Sequence, residues 1–266
     1  MPATMLPSRV CYTGAHGSAS WCGKAVDDRR RFAAFLRDVV GQRVADEESG
    51  FAADLQGLAT TDMATEQVER LLRSVPDPKG WEIGEALAEC LLREDSGHGM
   101  HWPWNTVRDR RTPRASLPGA DLVGFCRLDG AVWLTFGEVK TSSEVQAPPN
   151  VMSGSSGMRW QLEGSAKRLD IQRTLLQWLH TRCSHEPHRS MYEEAVGHFL
   201  ESQGKRLLIV GVLIRDTQPN EADLQGRGQA LALTLPAPTR VELFAWYLPV
   251  PVADWPALLR EGSHDN

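Results

Sequence analysis

Residues 207–214 read LLIVGVLI, an unbroken run without a polar side chain. A strand with one face in water alternates apolar and polar residues, so a continuous apolar run marks a strand covered on both faces. Covering a sheet on both sides takes helices, which makes the expected class α/β. The neighbouring patterns agree. Residues 81–93 carry Ile83, Leu87, Ala88, Leu91 and Leu92 at helical spacing. Strands are expected over 121–128 and 131–141, joined by Asp129-Gly130, a pair suited to the positive backbone angles of a tight hairpin turn. One long helix is expected over 159–182, with Leu162, Ala166, Leu169, Leu176 and Leu179 on its stripe. A helix over 190–202 and a last strand over 241–248, stopped by Pro249 and Pro251, complete a mixed sheet flanked by helices.

Before residue 77 the pattern is weaker. Residues 1–24 are rich in Gly, Ser and Ala without periodicity and read as a loosely structured start. Asp27-Asp28 then caps an amphipathic stretch over 29–40, with Phe32, Phe35, Leu36, Val39 and Val40 on one stripe. A second helix over 65–74 uses Val68, Leu71 and Leu72, and Pro76, Pro78 and Gly80 break it. The expected organisation is a partly helical N-terminal region, 1–76, suited to docking a partner, followed by a larger domain, 77–266. Residues 142–158, rich in Ser, Gly and Pro, read as a loop.

Several function classes fall away on composition. No charged start followed by an apolar run suggests a secretion signal, and no apolar stretch is long enough to cross a bilayer, so a cytoplasmic location is expected. The five cysteines are scattered without a CxxC pair, which argues against a disulfide framework or zinc ribbon. His98/His101 and Cys183/His185/His188 do not make four ligands at zinc spacing. No GxSxG elbow supports serine catalysis. A net charge of −5 means that nucleic acid is gripped only through a local basic patch or through a partner.

The candidate chemistry lies at Glu138-Val139-Lys140. Side chains alternate along a strand, so Glu138 and Lys140 share a face with Val132, Leu134 and Phe136. Charges that continue an apolar face are costly unless paired or bound to metal. Pairing about the Asp129-Gly130 turn brings Asp121 beside Glu138 or Lys140. A third acid is expected from the preceding helix, where Glu82, Glu85 and Glu89 share a side and Glu85 is central. Taken alone, E-x-K also fits an exposed salt bridge, and the three glutamates fit a solvated helix face. The densest basic run is Arg108, Arg110, Arg111 and Arg114, next to Trp102 and Trp104; together they read as phosphate contacts and a stacking platform, or as a solvated loop.

The order of helix glutamate, Gly119-Ala120-Asp121, hairpin and Glu138-Val139-Lys140 resembles the PD-(D/E)xK, or restriction-endonuclease-like, nuclease superfamily over roughly residues 81–248. Pro118-Gly119-Ala120-Asp121 stands where that pattern has adjacent proline and aspartate. Within the superfamily, LPGADLVG followed by GEVK is similar to the nuclease subunits (HamA) of the Hachiman antiphage defence system, which work with a superfamily 2 helicase and degrade DNA. The resemblance implies a Mg²⁺ site (Mn²⁺ as substitute) formed by Asp121, Glu138, Glu85 and the Val139 carbonyl, with Lys140 orienting the attacking water. It implies phosphate or helper contacts from Gln161, Lys167 and Arg168, DNA as substrate and a helicase partner. The alternative is a non-catalytic DNA-binding or assembly subunit that keeps the fold.

Overall fold

The computed structural model describes residues 6–74, 77–95, 97–105, 109 and 119–261. The chain opens with a hairpin, β1 (Arg9–His16) and β2 (Ala19–Ala25). This corrects the expectation of a loose start. Tyr12 pairs with Gly23 and Gly14 with Trp21, and a Cβ at either glycine would sit inside the ring opposite it, 2.2 Å from Tyr12 and 2.3 Å from Trp21. The glycines that hide the strand pattern are there because an aromatic ring lies on them.

Helix α1 (Arg29–Phe35) starts where Asp28 accepts from the Arg30 and Arg31 amides at 2.9 and 3.0 Å. It runs through a π turn (Leu36–Val40) into α2 (Gly41–Val44), and Phe32, Phe35, Leu36 and Val40 are buried as the stripe requires. Helices α3 (Phe51–Leu58) and α4 (Asp62–Arg73) pack on each other and bury no residue. The second begins three residues earlier than expected because Thr61 Oγ1 accepts the Ala64 amide at 3.2 Å. Helix α5 (Gly80–Asp95) buries Ile83, Leu87, Ala88, Leu91 and Leu92.

Strands β3 (Leu122–Leu128) and β4 (Ala131–Ser142) form the expected hairpin; Asp129 and Gly130 both have positive φ, 51° and 77°. The expected single helix over 159–182 is two, α6 (Met158–Lys167) and α7 (Leu169–Arg182). Arg168 is extended between them, and Gln172 Nε2 caps the Ala166 carbonyl freed by the break at 2.8 Å. Leu169, placed on the stripe by spacing, is 78% exposed because the break changes the phase. Then follow α8 (His188–Glu201), β5 (Leu207–Arg215), α9 (Gln225–Thr234), β6 (Arg240–Tyr247) and α10 (Trp255–Glu261).

The six strands form one sheet in the order β1-β2-β6-β5-β4-β3, parallel from β2 to β4 and antiparallel at both edges. Every residue of β5 is buried, as its unbroken apolar run demands. One face carries Phe125, Leu134, Phe136 and Leu213 under α6–α9; the other carries Leu122, Val212 and Trp246 under α1 and α5. Strands from before Pro76 and after it therefore belong to the same sheet. Among the described residues, no helix is long and apolar enough to cross a membrane.

Candidate active site

The site is built by the last third of β4. Register pairs Leu122 with Gly137, which sets Asp121 opposite Glu138, and the Asp121 amide donates to the Gly137 carbonyl at 3.0 Å. The Asp121 carboxylate accepts the Val139 amide at 2.9 Å. A residue's N–H and C=O lie on the same edge of a strand. The Val139 carbonyl therefore projects toward the Asp121 edge rather than toward β5.

Glu138 continues the face of Val132, Leu134 and Phe136, and its side chain is 5% exposed. Lys140 Nζ donates to Glu138 Oε1 at 2.7 Å. The pair is thus a partly buried one, with Glu138 in the core and Lys140 at its margin, not an exposed salt bridge. Above it lies α6. Gly211, the β5 partner of Glu138, is bare because a Cβ there would meet Met158 Sδ at 2.7 Å and Leu162 Cδ1 at 3.1 Å. Ser165 Oγ on the same helix donates to the Gly119 carbonyl at 3.0 Å, so α6 is anchored on both sides of the acid pair.

Two carboxyls share this low-dielectric spot, set opposite each other by the strand register. Burial pushes the Glu138 carboxyl up to about 8; the Asp121 charge adds to the rise and Lys140 opposes it. Burial also raises Asp121, against the Val139 amide and Lys140. A site holding two acids above their ordinary range is one that a divalent cation would satisfy.

The third acid is not gathered with them. Helix α5 lies on the opposite face, close to the end of β4: a Cβ at Gly84 would be 2.3 Å from Thr141 Oγ1. Glu85 is buried there, but no group of three or more His, Cys, Asp or Glu side chains capable of holding a metal forms among the described residues. Glu82 accepts the Lys79 amide at 2.6 Å at the helix start, and buried Glu89 pairs with Arg43.

Comparison with protein-family models and with curated proteins returns no match.

What the arrangement can do follows from its donors. Asp121, Glu138 and the Val139 carbonyl offer hard oxygens, the set that Mg²⁺ or Mn²⁺ takes with water and substrate phosphate. Lys140 places an ammonium beside them. Of the expected nucleic-acid contacts, Arg108, Arg110, Arg111 and Arg114 lie outside the described residues. Lys167 and Arg168 are exposed at the end of α6, with Arg168 paired to Asp170 at 2.6 Å. Trp102 and Trp104 cannot form a stacking platform, because they are 5% and 0% exposed in the core. Gln161, on α6, has a buried Oε1 without a hydrogen-bond partner.

Two features escape sequence reasoning. Arg215 closes the otherwise apolar β5 and is buried with Asp223 and Tyr247, with half-buried Tyr12 beside them, on the face of the acid pair; an arginine ending an apolar run is its signal in the sequence. The other is the surroundings of Trp160, where Arg227 comes from a helix with no clear stripe.

Proposed function

We propose that the chain is a Mg²⁺-dependent nuclease of restriction-endonuclease-like fold that hydrolyses phosphodiester bonds in DNA. The observation that carries this is the juxtaposition of Asp121, Glu138 and Lys140 by strand register on an otherwise apolar face. Asp121, Glu138 and the Val139 carbonyl hold the cation, which when bound supplies positive charge at the scissile phosphate. Lys140 orients the attacking water and offsets charge that develops on the phosphate, the electrostatic contribution that is usually largest. Glu85 joins only after α5 shifts toward the strand end.

With its resemblance to Hachiman nuclease subunits, the chain is proposed to act in the cytoplasm as the effector of an antiphage complex, delivered to DNA by a superfamily 2 helicase. A net charge of −5 supports dependence on a partner. So does the α3–α4 pair, which leaves Phe51, Leu58, Met63 and Leu71 exposed beside Asp54, Asp62, Glu66 and Glu69. One observation favours the non-catalytic alternative: among the described residues, no third His, Cys, Asp or Glu joins the acid pair in a group that could hold a metal.

The experiment is cleavage of plasmid and single-stranded DNA by the chain with its helicase, with Mg²⁺ or with chelator. Glu138→Ala and Lys140→Ala are expected to lower cutting by at least about a hundredfold, with unchanged circular dichroism. Cutting at the wild-type rate by both variants sinks the assignment. A wild-type complex that binds DNA and never cuts it favours the assembly role.

A further inference from the structure

Beside α6 runs a cleft of about 470 Å³ between the start of that helix, the Ser153-Gly154 turn and α9. Trp160 lines it. Six of the chain's tryptophans, Trp21, Trp102, Trp104, Trp133, Trp246 and Trp255, are buried, whereas Trp160 is 52% exposed. Arg227 enters from α9 and donates to Ser153 Oγ at 3.2 Å. It is half-buried and makes no ion pair among the described residues. Burial lowers its proton affinity, and the charge of Asp223 offsets part of the loss. A partly buried guanidinium with no carboxylate in direct contact, Asp223 being taken by Arg215, favours an anion. Arg159, the other cation here, is already held by Glu163 at 2.8 Å.

Resting on the nuclease reading, we propose that this cleft is a subsite for one unpaired nucleotide of the substrate strand, its base stacked on Trp160 and its phosphate held by Arg227. An indole face reaches a base only when that base is out of a duplex, so the subsite selects single-stranded or frayed DNA. Its position agrees. Trp160 stands on the helix whose Met158 and Leu162 cover Gly211, the neighbour of Glu138, so one strand can lie along α6 with its next phosphates near the acid pair. Lys167, seven residues on, lies on the same outer side of α6 and continues that track.

Anisotropy of a labelled oligothymidylate with the full chain, in chelator so that nothing is cut, tests this. Trp160→Ala should weaken binding roughly tenfold and Trp160→Phe should retain most of it. Arg227→Ala should lower the slope of log affinity against log salt by about 0.7, the mark of one lost phosphate contact on a single strand. Blunt duplex binding should not respond to Trp160→Ala. The proposal is overturned by wild-type affinity in Trp160→Ala, by equal losses on duplex, by a free mononucleotide binding as tightly as the oligomer, or by no binding of the wild-type chain. Because the assay is metal-free, Trp160-dependent binding without any cutting in Mg²⁺ would remove the nuclease reading and leave the subsite.

Discussion

Glu138→Gln is expected to abolish metal-dependent cleavage and to raise the melting temperature of the metal-free protein. Burial and the Asp121 charge hold the Glu138 carboxyl up to about 8, against 4.5 for an unperturbed glutamate. Between those values the folded state keeps a proton that the unfolded state has released. Stability therefore falls as pH rises through that window, and the penalty is complete above it. Below about pH 4.5 the carboxyl is protonated in both states and costs nothing. Glutamine mimics the protonated form and still accepts from Lys140. The gap between variant and wild type should thus be small at pH 5 and largest near pH 9, with each kcal/mol relieved worth about 2–4 °C. Adding Mg²⁺ at pH 8 should raise the wild-type midpoint by mass action and leave Glu138→Gln unmoved. Calorimetry with and without chelator measures both. A wild-type midpoint that is flat from pH 5 to 9 and indifferent to Mg²⁺ would refute a strained cation site. A midpoint that falls with pH and recovers with Mg²⁺ would mean that the site trades stability for function, as sites with crowded carboxylates do.

The hairpin behind this prediction was legible because its determinants are local. Asp129-Gly130 sets the turn, the turn sets the register, and alternation puts Glu138 and Lys140 on one face with Asp121 opposite. β5 was legible because burial on both faces leaves a run that needs no partner to interpret. The first hairpin was not. Its small residues make sense only once Tyr12 and Trp21 are seen lying on Gly23 and Gly14 from the adjoining strand, a cross-strand fact. Spacing could not show the break at Arg168 either, since the freed carbonyls are satisfied by Gln172 and the next helix is held close at Gly164 by Ile171. The third acid failed for a related reason. Helical spacing puts Glu82, Glu85 and Glu89 on one side of α5, but not on which face of the sheet α5 lies; the structure puts it on the face away from Glu138.

Arg215→Ala is the substitution expected to cost most in stability. Arg215 is 1% exposed and Asp223 0%, and one guanidinium nitrogen reaches both Asp223 oxygens at 2.7 and 2.8 Å. Tyr247 donates to Asp223 at 2.7 Å, and the hydroxyls of Tyr12 and Tyr247 are 2.8 Å apart. Removing the arginine leaves a buried carboxylate whose remaining side-chain donor among the described residues is the neutral Tyr247 hydroxyl, a loss of about 3–5 kcal/mol, or on the order of 10 °C. The second guanidinium nitrogen bonds the Glu144 carbonyl and, at 2.9 Å, that of Gln146. These residues belong to the loop that leaves β4 after Ser142, two residues beyond Lys140, so the same arginine fixes where β4 ends. Charge and anchoring can be separated. Arg215→Met combined with Asp223→Leu removes both charges, and exchanges of this kind are often close to neutral in stability. The double variant should recover most of the lost melting temperature, yet cut DNA more slowly than wild type, because the Glu144 and Gln146 carbonyls still lack their donor. Full recovery of both stability and cutting would mean that Arg215 serves only to neutralise Asp223. A single-variant loss below about 1 kcal/mol, the scale of an exposed pair, would show that water reaches the network. With its anchoring confirmed, the acid pair, the loop after β4 and the start of α9 would be one connected unit, since Asp223, two residues before α9, joins Arg215 to the helix that carries Arg227.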